Sequence, residues 1–192
     1  MPRRAGLMLA LAAGLGLPSG GWGEPVPGEP FALRLSVEMA AHRRLIAVMA
    51  QAGHRPDAFT TDGCSGGLSA AWDVLADLLP SFGRTHEDRP PWEACCIAHD
   101  RAYHGAGDAR TPEDSFRARL SADEALRACV LETGADRTAH LSATYDLTEG
   151  QVAAAYALIA GAMFDAVRLG GGPCSGLPWR WGYGYPGCLL GE

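Results

Sequence analysis

The chain reads as mostly α-helical and cross-linked by disulfides. Three observations point that way. Apolar residues recur at helical spacing in several stretches, strand-like alternation is scarce, and an even number of cysteines, six, follows a leader-like N-terminus. The 192 residues leave room for one domain after that leader. Hydrophobic residues make up 47% and charged residues 20%, a balance that supports a packed core.

The leader comes first. Arg3 and Arg4 give a positive start, Gly6 to Leu17 is uncharged and mostly apolar, and small residues follow at Ser19, Gly20, Gly21 and Gly23. That order predicts a signal peptide over residues 1–23, cleaved near Gly21–Gly23, and a secreted or periplasmic chain. The alternative, a membrane anchor, is disfavoured because an apolar run of twelve residues is too short to span a bilayer as a helix. Export makes disulfides the default for Cys64, Cys95, Cys96, Cys129, Cys174 and Cys188.

Residues 24–192 then read as a single helical domain. Residues 31–52 carry Leu35, Met39, Leu45, Ile46 and Met49 at helical spacing, and Gly53 is a natural stop. Residues 60–67 form a loop, and 68–79 a short amphipathic helix closed by Pro80. Pro90-Pro91 sets up a helix over 92–104, which Gly105 and Gly107 end. Thr111-Pro112-Glu113-Asp114 is a helix start, with Thr111 as cap, and that helix is expected to reach about Glu132, before Gly134. Residues 149–169 make a last helix, expected to be a core helix because Asp165 and Arg168 interrupt its apolar run. From 170 to 192 the chain is an irregular tail rich in Gly, Pro and aromatic residues, expected to cover the core rather than meet lipid. At most one small hairpin is expected in the polar stretches.

Charge excludes some functions. The formal net charge is −6, from 16 basic residues, all Arg, and 22 acidic ones. An acidic chain without a basic run is a poor nucleic-acid binder, and it gains nothing from strongly anionic membranes.

Two conditional arguments place chemistry on the helices. If Cys95 is bonded to Cys129 and their helices are antiparallel neighbours, Ala102 and Ala122 fall level and His99 comes within about 3 Å of rise of Asp123. His99 follows Cys95 by four residues, so the two share a helix face. If Cys96 pairs with Cys64, the segment Gly63-Cys64-Ser65-Gly66-Gly67 is pinned beside Asp100, which follows Cys96 by four. Glycine-rich backbone can turn carbonyls toward one point, and carbonyls with a carboxylate are hard oxygen ligands that suit Ca²⁺.

The run Cys95-Cys96-Ile97-Ala98-His99-Asp100, with Tyr103 beyond it, resembles the active-site helix of the secreted phospholipase A2 family. The segment Gly63–Gly67 is similar to that family's calcium loop, and Asp123 with Cys129 six residues later matches its second helix. The resemblance covers residues 60–130, and its departures suggest a divergent, bacterial-type relative. It implies an antiparallel helix pair of phospholipase A2 type with extra flanking helices. It implies disulfides 64–96 and 95–129, leaving Cys174 to Cys188. His99 would be the general base that activates water, Asp123 would hold the far ring nitrogen, and Tyr103 would hydrogen-bond Asp123. Asp100, with backbone carbonyls near Gly63, Ser65 and Gly67, would bind Ca²⁺. The implied activity is hydrolysis of the sn-2 ester of phospholipids at a lipid interface; nothing in the sequence names a protein partner.

The chain also departs from that family. Ala102 and Ala122 stand where the family commonly has a bonded cysteine pair, and Ser65 where it has a glycine. The stretch between Cys64 and Cys96 is longer than usual. A second reading therefore stands beside the first: a non-catalytic secreted module that binds lipid or protein on the same scaffold. A serine-protease nucleophile at Ser65 and zinc ligation by Cys95, Cys96 and His99 are disfavoured, the first by the helical chain and the second by export.

Overall fold

The computed structural model of the chain describes residues 29–53, 55–64 and 89–189. The expected leader, the helix over 68–79, and the site positions Ser65 and Gly67 lie outside these residues. The domain is small, mostly α-helical and stabilised by three disulfides, with no strand among the described residues. Four helices follow in order: α1 (Glu29–Gln51), α2 (Glu93–His104), α3 (Pro112–Tyr145) and α4 (Glu149–Gly170), with a short 3-10 turn at Ala106–Asp108 between α2 and α3.

Local chemistry explains where these helices start and stop. Gly53, at φ +64°, ends α1 in the left-handed region that glycine tolerates. Thr111 caps α3 by accepting the backbone N–H of Asp114, with Pro112 in the first turn. Thr148 and Gln151 form a reciprocal capping box at the start of α4.

The long helix α3 is the hub, and α1, α2 and α4 each pack on it. It does not stop near Glu132 as the sequence suggested but runs through Gly134 to Tyr145. The glycine serves packing instead of termination. A Cβ there would lie 2.4 Å from Cγ of Tyr156, so only glycine lets α4 come this close. Linked pairs between α2 and α3 run in opposite order: Cys95 with Cys129, His99 with Asp123, Tyr103 with Arg119. The two helices are therefore antiparallel.

The buried stripe of α3 changes character along its length. Ser115, Arg119 and Asp123 come first; Leu126, Val130, Gly134 and Leu141 follow. The apolar half joins Trp92 and the two α2 cysteines with Val152, Tyr156, Ala160 and Met163 of α4 in one cluster. Burying such side chains contributes about 1.5–3 kcal/mol each. By length and composition α4 could cross a membrane. In the fold one of its faces packs on α3, while Leu158 and Leu169 stay exposed.

The C-terminal tail is irregular and docks on the end of α2. The N–H groups of Gly182 and Gly184 donate to the carbonyls of Tyr103 and His104, at 2.7 and 3.1 Å, satisfying acceptors a helix end leaves open. Trp181 is fully buried against Tyr103, with ring centroids 4.9 Å apart, and Tyr185 is buried in the same cluster as Leu45 and Met49 of α1. These rings cover the core.

Candidate functional site

His99 lies on the face of α2 that meets α3. Its Nε2 is 2.9 Å from Oδ1 of Asp123, and both side chains are buried. A carboxylate oxygen accepts, so Nε2 donates to Asp123 and Nδ1 is left for another partner. Tyr103, one turn on, donates its hydroxyl to the same Oδ1 at 2.7 Å, and its ring lies 4.1 Å from that of His99. Burial pushes the Tyr103 phenol well above its usual range, which keeps it a donor. The disulfide Cys95–Cys129, with Cα atoms 5.7 Å apart, sits one turn before His99 and six residues after Asp123, so it ties the two helices beside this pair.

Asp100 is aimed elsewhere. The Cys64–Cys96 disulfide brings residues 61–64 against α2. There Thr61 donates its hydroxyl to Oδ2 of Asp100 at 2.5 Å and accepts the N–H of Gly63 at 3.1 Å. Gly63 has φ +76°, a left-handed conformation that favours glycine. A cavity of about 270 Å³ opens at this point, lined by Thr60, Thr61, Asp62, Asp100, Trp179 and Tyr183, with Pro178 completing it. Burial pushes the Asp100 carboxyl up; the Thr61 hydrogen bond opposes this, and the charge of Asp62 adds to it. Tyr183 donates to the Thr60 carbonyl at 2.6 Å, and burial beside the two aspartates lifts its phenol to about 12.

The donors around this cavity suit a hard cation. Two carboxylates, hydroxyls and backbone carbonyls are all oxygen ligands. Among the described residues no three His, Cys, Asp or Glu side chains gather as a metal cage, so a cation here would take neutral oxygens and water as well.

Asp62 and Thr61 went unremarked in the sequence, although they directly precede Gly63-Cys64 and share its loop. Nothing in the sequence pointed to the part that three charged residues play behind Asp123. Arg168 of α4 donates from Nη1 to Oδ2 of Asp123 at 3.0 Å and from Nη2 to both oxygens of Glu38 on α1, at 2.9 and 3.0 Å. Arg119, only 1% exposed, donates to Glu38, to the Tyr103 hydroxyl at 3.2 Å, and to the carbonyls of Val167 and Arg168. Burial alone would raise Glu38; the His42 ring and the two guanidiniums outweigh it and hold its carboxyl down at about 2.

His42 is fully buried below Glu38. Its Nδ1 is 2.8 Å from the Ser115 hydroxyl, which also accepts the Trp181 indole N–H at 2.9 Å. The His42–Ser115 bond is open to either ring tautomer, because a hydroxyl can donate or accept, and Nε2 lies 3.7 Å from Glu38. Burial lowers the His42 pKa, against the opposing pull of Glu38, and so favours the neutral ring.

The class these observations define is a small, mostly α-helical, disulfide-stabilised domain. No family model, no curated protein and no solved structure matches the chain.

Proposed function

We propose that the chain is an exported, calcium-dependent esterase of phospholipase A2 type, which hydrolyses the sn-2 ester of phospholipids. The observation that carries this reading is the pairing of His99 with Asp123 at 2.9 Å, next in sequence to an Asp100 that lines a cavity with the Thr61–Cys64 loop. The bond from Nε2 to Asp123 fixes the ring tautomer, so Nδ1 can take a proton from water as the water attacks the ester carbonyl. Asp123 and Tyr103 then hold the charged ring until the proton passes to the leaving alcohol. No side-chain nucleophile is required.

Asp100 and Asp62 would hold Ca²⁺, with the backbone near Gly63; the expected contributions of Ser65 and Gly67 lie outside the described residues. When bound, the cation supplies Lewis-acid polarisation of the substrate carbonyl. Contact with the lipid surface falls to apolar side chains, since the chain is acidic; Leu33 and Val37, one turn apart on α1, are exposed and suited to it. Export is supported by the leader pattern and by three formed disulfides.

The test is mass spectrometry of products from phospholipids with different acyl chains at the two glycerol positions. The reading expects free acid from the middle position only, dependent on calcium. Release from the outer position, or none with calcium present, contradicts it, and the second outcome leaves the non-catalytic binding module.

A further inference from the structure

Five side chains from the four described helices close a ring behind His99. Oδ2 of Asp123 accepts from Arg168 at 3.0 Å, Arg168 donates to Glu38 at 2.9 Å, Glu38 accepts from Arg119, Arg119 donates to the Tyr103 hydroxyl at 3.2 Å, and that hydroxyl returns to Oδ1 of Asp123 at 2.7 Å. The ring holds two carboxylates and two guanidiniums, so its charge is balanced. Asp123 is fully buried, and its two oxygens are divided. One faces His99 and Tyr103; the other is taken by Arg168.

We infer that Arg168 is a positioning residue for His99, acting through Asp123. This rests on the reading of His99 as the general base. A carboxylate bonded on one oxygen alone can still turn about its Cβ–Cγ bond and swing that oxygen away from the imidazole. A guanidinium on the other oxygen fixes the carboxylate plane, because charge-assisted bonds of this kind are strong and directional. Arg168 is itself fixed: one nitrogen meets both oxygens of Glu38, and Arg119 grips the carbonyls at its own end of α4. An ion pair serving stability alone would be complete with Glu38. Arg168 instead turns its other nitrogen to the acid that aims the histidine. Through Glu38 the ring also makes α1 part of the site's alignment, although α1 gives no residue to the reacting groups.

The experiment compares the full-length parent with Arg168→Gln and Arg168→Lys, and with Arg117→Gln as a control outside the ring. Arg168 is one-fifth exposed, so these variants leave no fully buried cavity. Two readouts are taken: hydrolysis of mixed phospholipid vesicles with calcium, and ¹⁵N NMR of the His99 ring nitrogens. For Arg168→Gln we expect kcat to fall about 10- to 100-fold with KM within twofold, in the range for a misplaced general base. The ring nitrogen signals should move from a single Nε2–H tautomer toward a mixture. Arg168→Lys should recover part of both, since lysine offers a point charge in place of the fork. Arg117→Gln should match the parent.

Ring signals and kcat unchanged in Arg168→Gln overturn the inference. So does an equal loss in Arg168→Lys and Arg168→Gln with parent-like His99 signals, the mark of a purely structural role. If Arg168→Gln fails to fold, Arg168→Lys decides alone by the same two readouts. If the parent hydrolyses nothing, the esterase reading fails, and the NMR comparison still decides whether Arg168 orients His99.

Discussion

His99 and Asp100 are neighbours in sequence, yet their surroundings differ in kind. His99 meets a carboxylate already bonded on both oxygens, behind which a ring of charges draws on every described helix. Asp100 faces a cavity, shares it with a second carboxylate, and accepts the Thr61 hydroxyl. Its carboxyl is pushed up, whereas that of Glu38 behind His99 is held down. The comparison teaches a division of labour. Under the proposed function, the proton-transfer half is built from the chain's own residues, and the half that would take calcium is short of positive charge.

The strongest way to break the first half is Arg119→Met. It removes a buried cation that Glu38 and the Tyr103 hydroxyl both use. Losing one member of such a network typically costs about 3–5 kcal/mol. Urea unfolding should show that loss, and a change below about 1 kcal/mol would mean that the ring does not act as a unit.

Acid should weaken the same half in two stages. His42 lies below its ordinary 6.5, so the unfolded chain takes up that proton first and stability starts to fall as pH drops through 6.5. Glu38 is lowered from 4.5 to about 2, so its contribution is complete above 4.5 and lost as pH falls toward 2. That second stage is worth on the order of 3 kcal/mol at most. Urea midpoints measured from pH 8 to 2 should show both stages, and Glu38→Gln should flatten the lower one. A parent curve already flat below pH 4.5 would contradict the placement of Glu38.

The metal half predicts a smaller and opposite pattern. Calcium at about a hundredfold over its Kd should stabilise the parent by roughly 2.7 kcal/mol. Asp100→Asn should abolish most of that gain while changing calcium-free stability by less than about 1 kcal/mol, because the carboxylate is already penalised by burial. Thermal unfolding with calcium and with chelator reads both. Equal stabilisation of parent and variant would remove Asp100 from the metal site.

Much of this was legible in the sequence, for reasons that also explain what was not. Cysteine positions carry register: with Cys95 joined to Cys129, helical rise alone brings His99 near Asp123. Capping residues and apolar spacing located four helices. Gly134 misled because a glycine that ends a helix and one that admits a neighbouring ring look alike until the partner, Tyr156, is known. Glu38, Arg119 and Arg168 stayed hidden because their partners lie far off in sequence. On an isolated helix each reads as a solvated charge, and Arg168 read only as a break in an apolar run. Thr61 and Asp62 were overlooked because the resemblance directed attention to the glycines after them.

The account turns on His99 as the general base of a calcium-dependent esterase. Fatty-acid release from mixed phospholipid vesicles, with parent and His99→Ala each assayed in calcium and in chelator, tests it most directly. The account expects release by the parent in calcium alone and a loss of about 10²–10⁴-fold in His99→Ala, the range for removing a general base. Equal release by His99→Ala and the parent would contradict it.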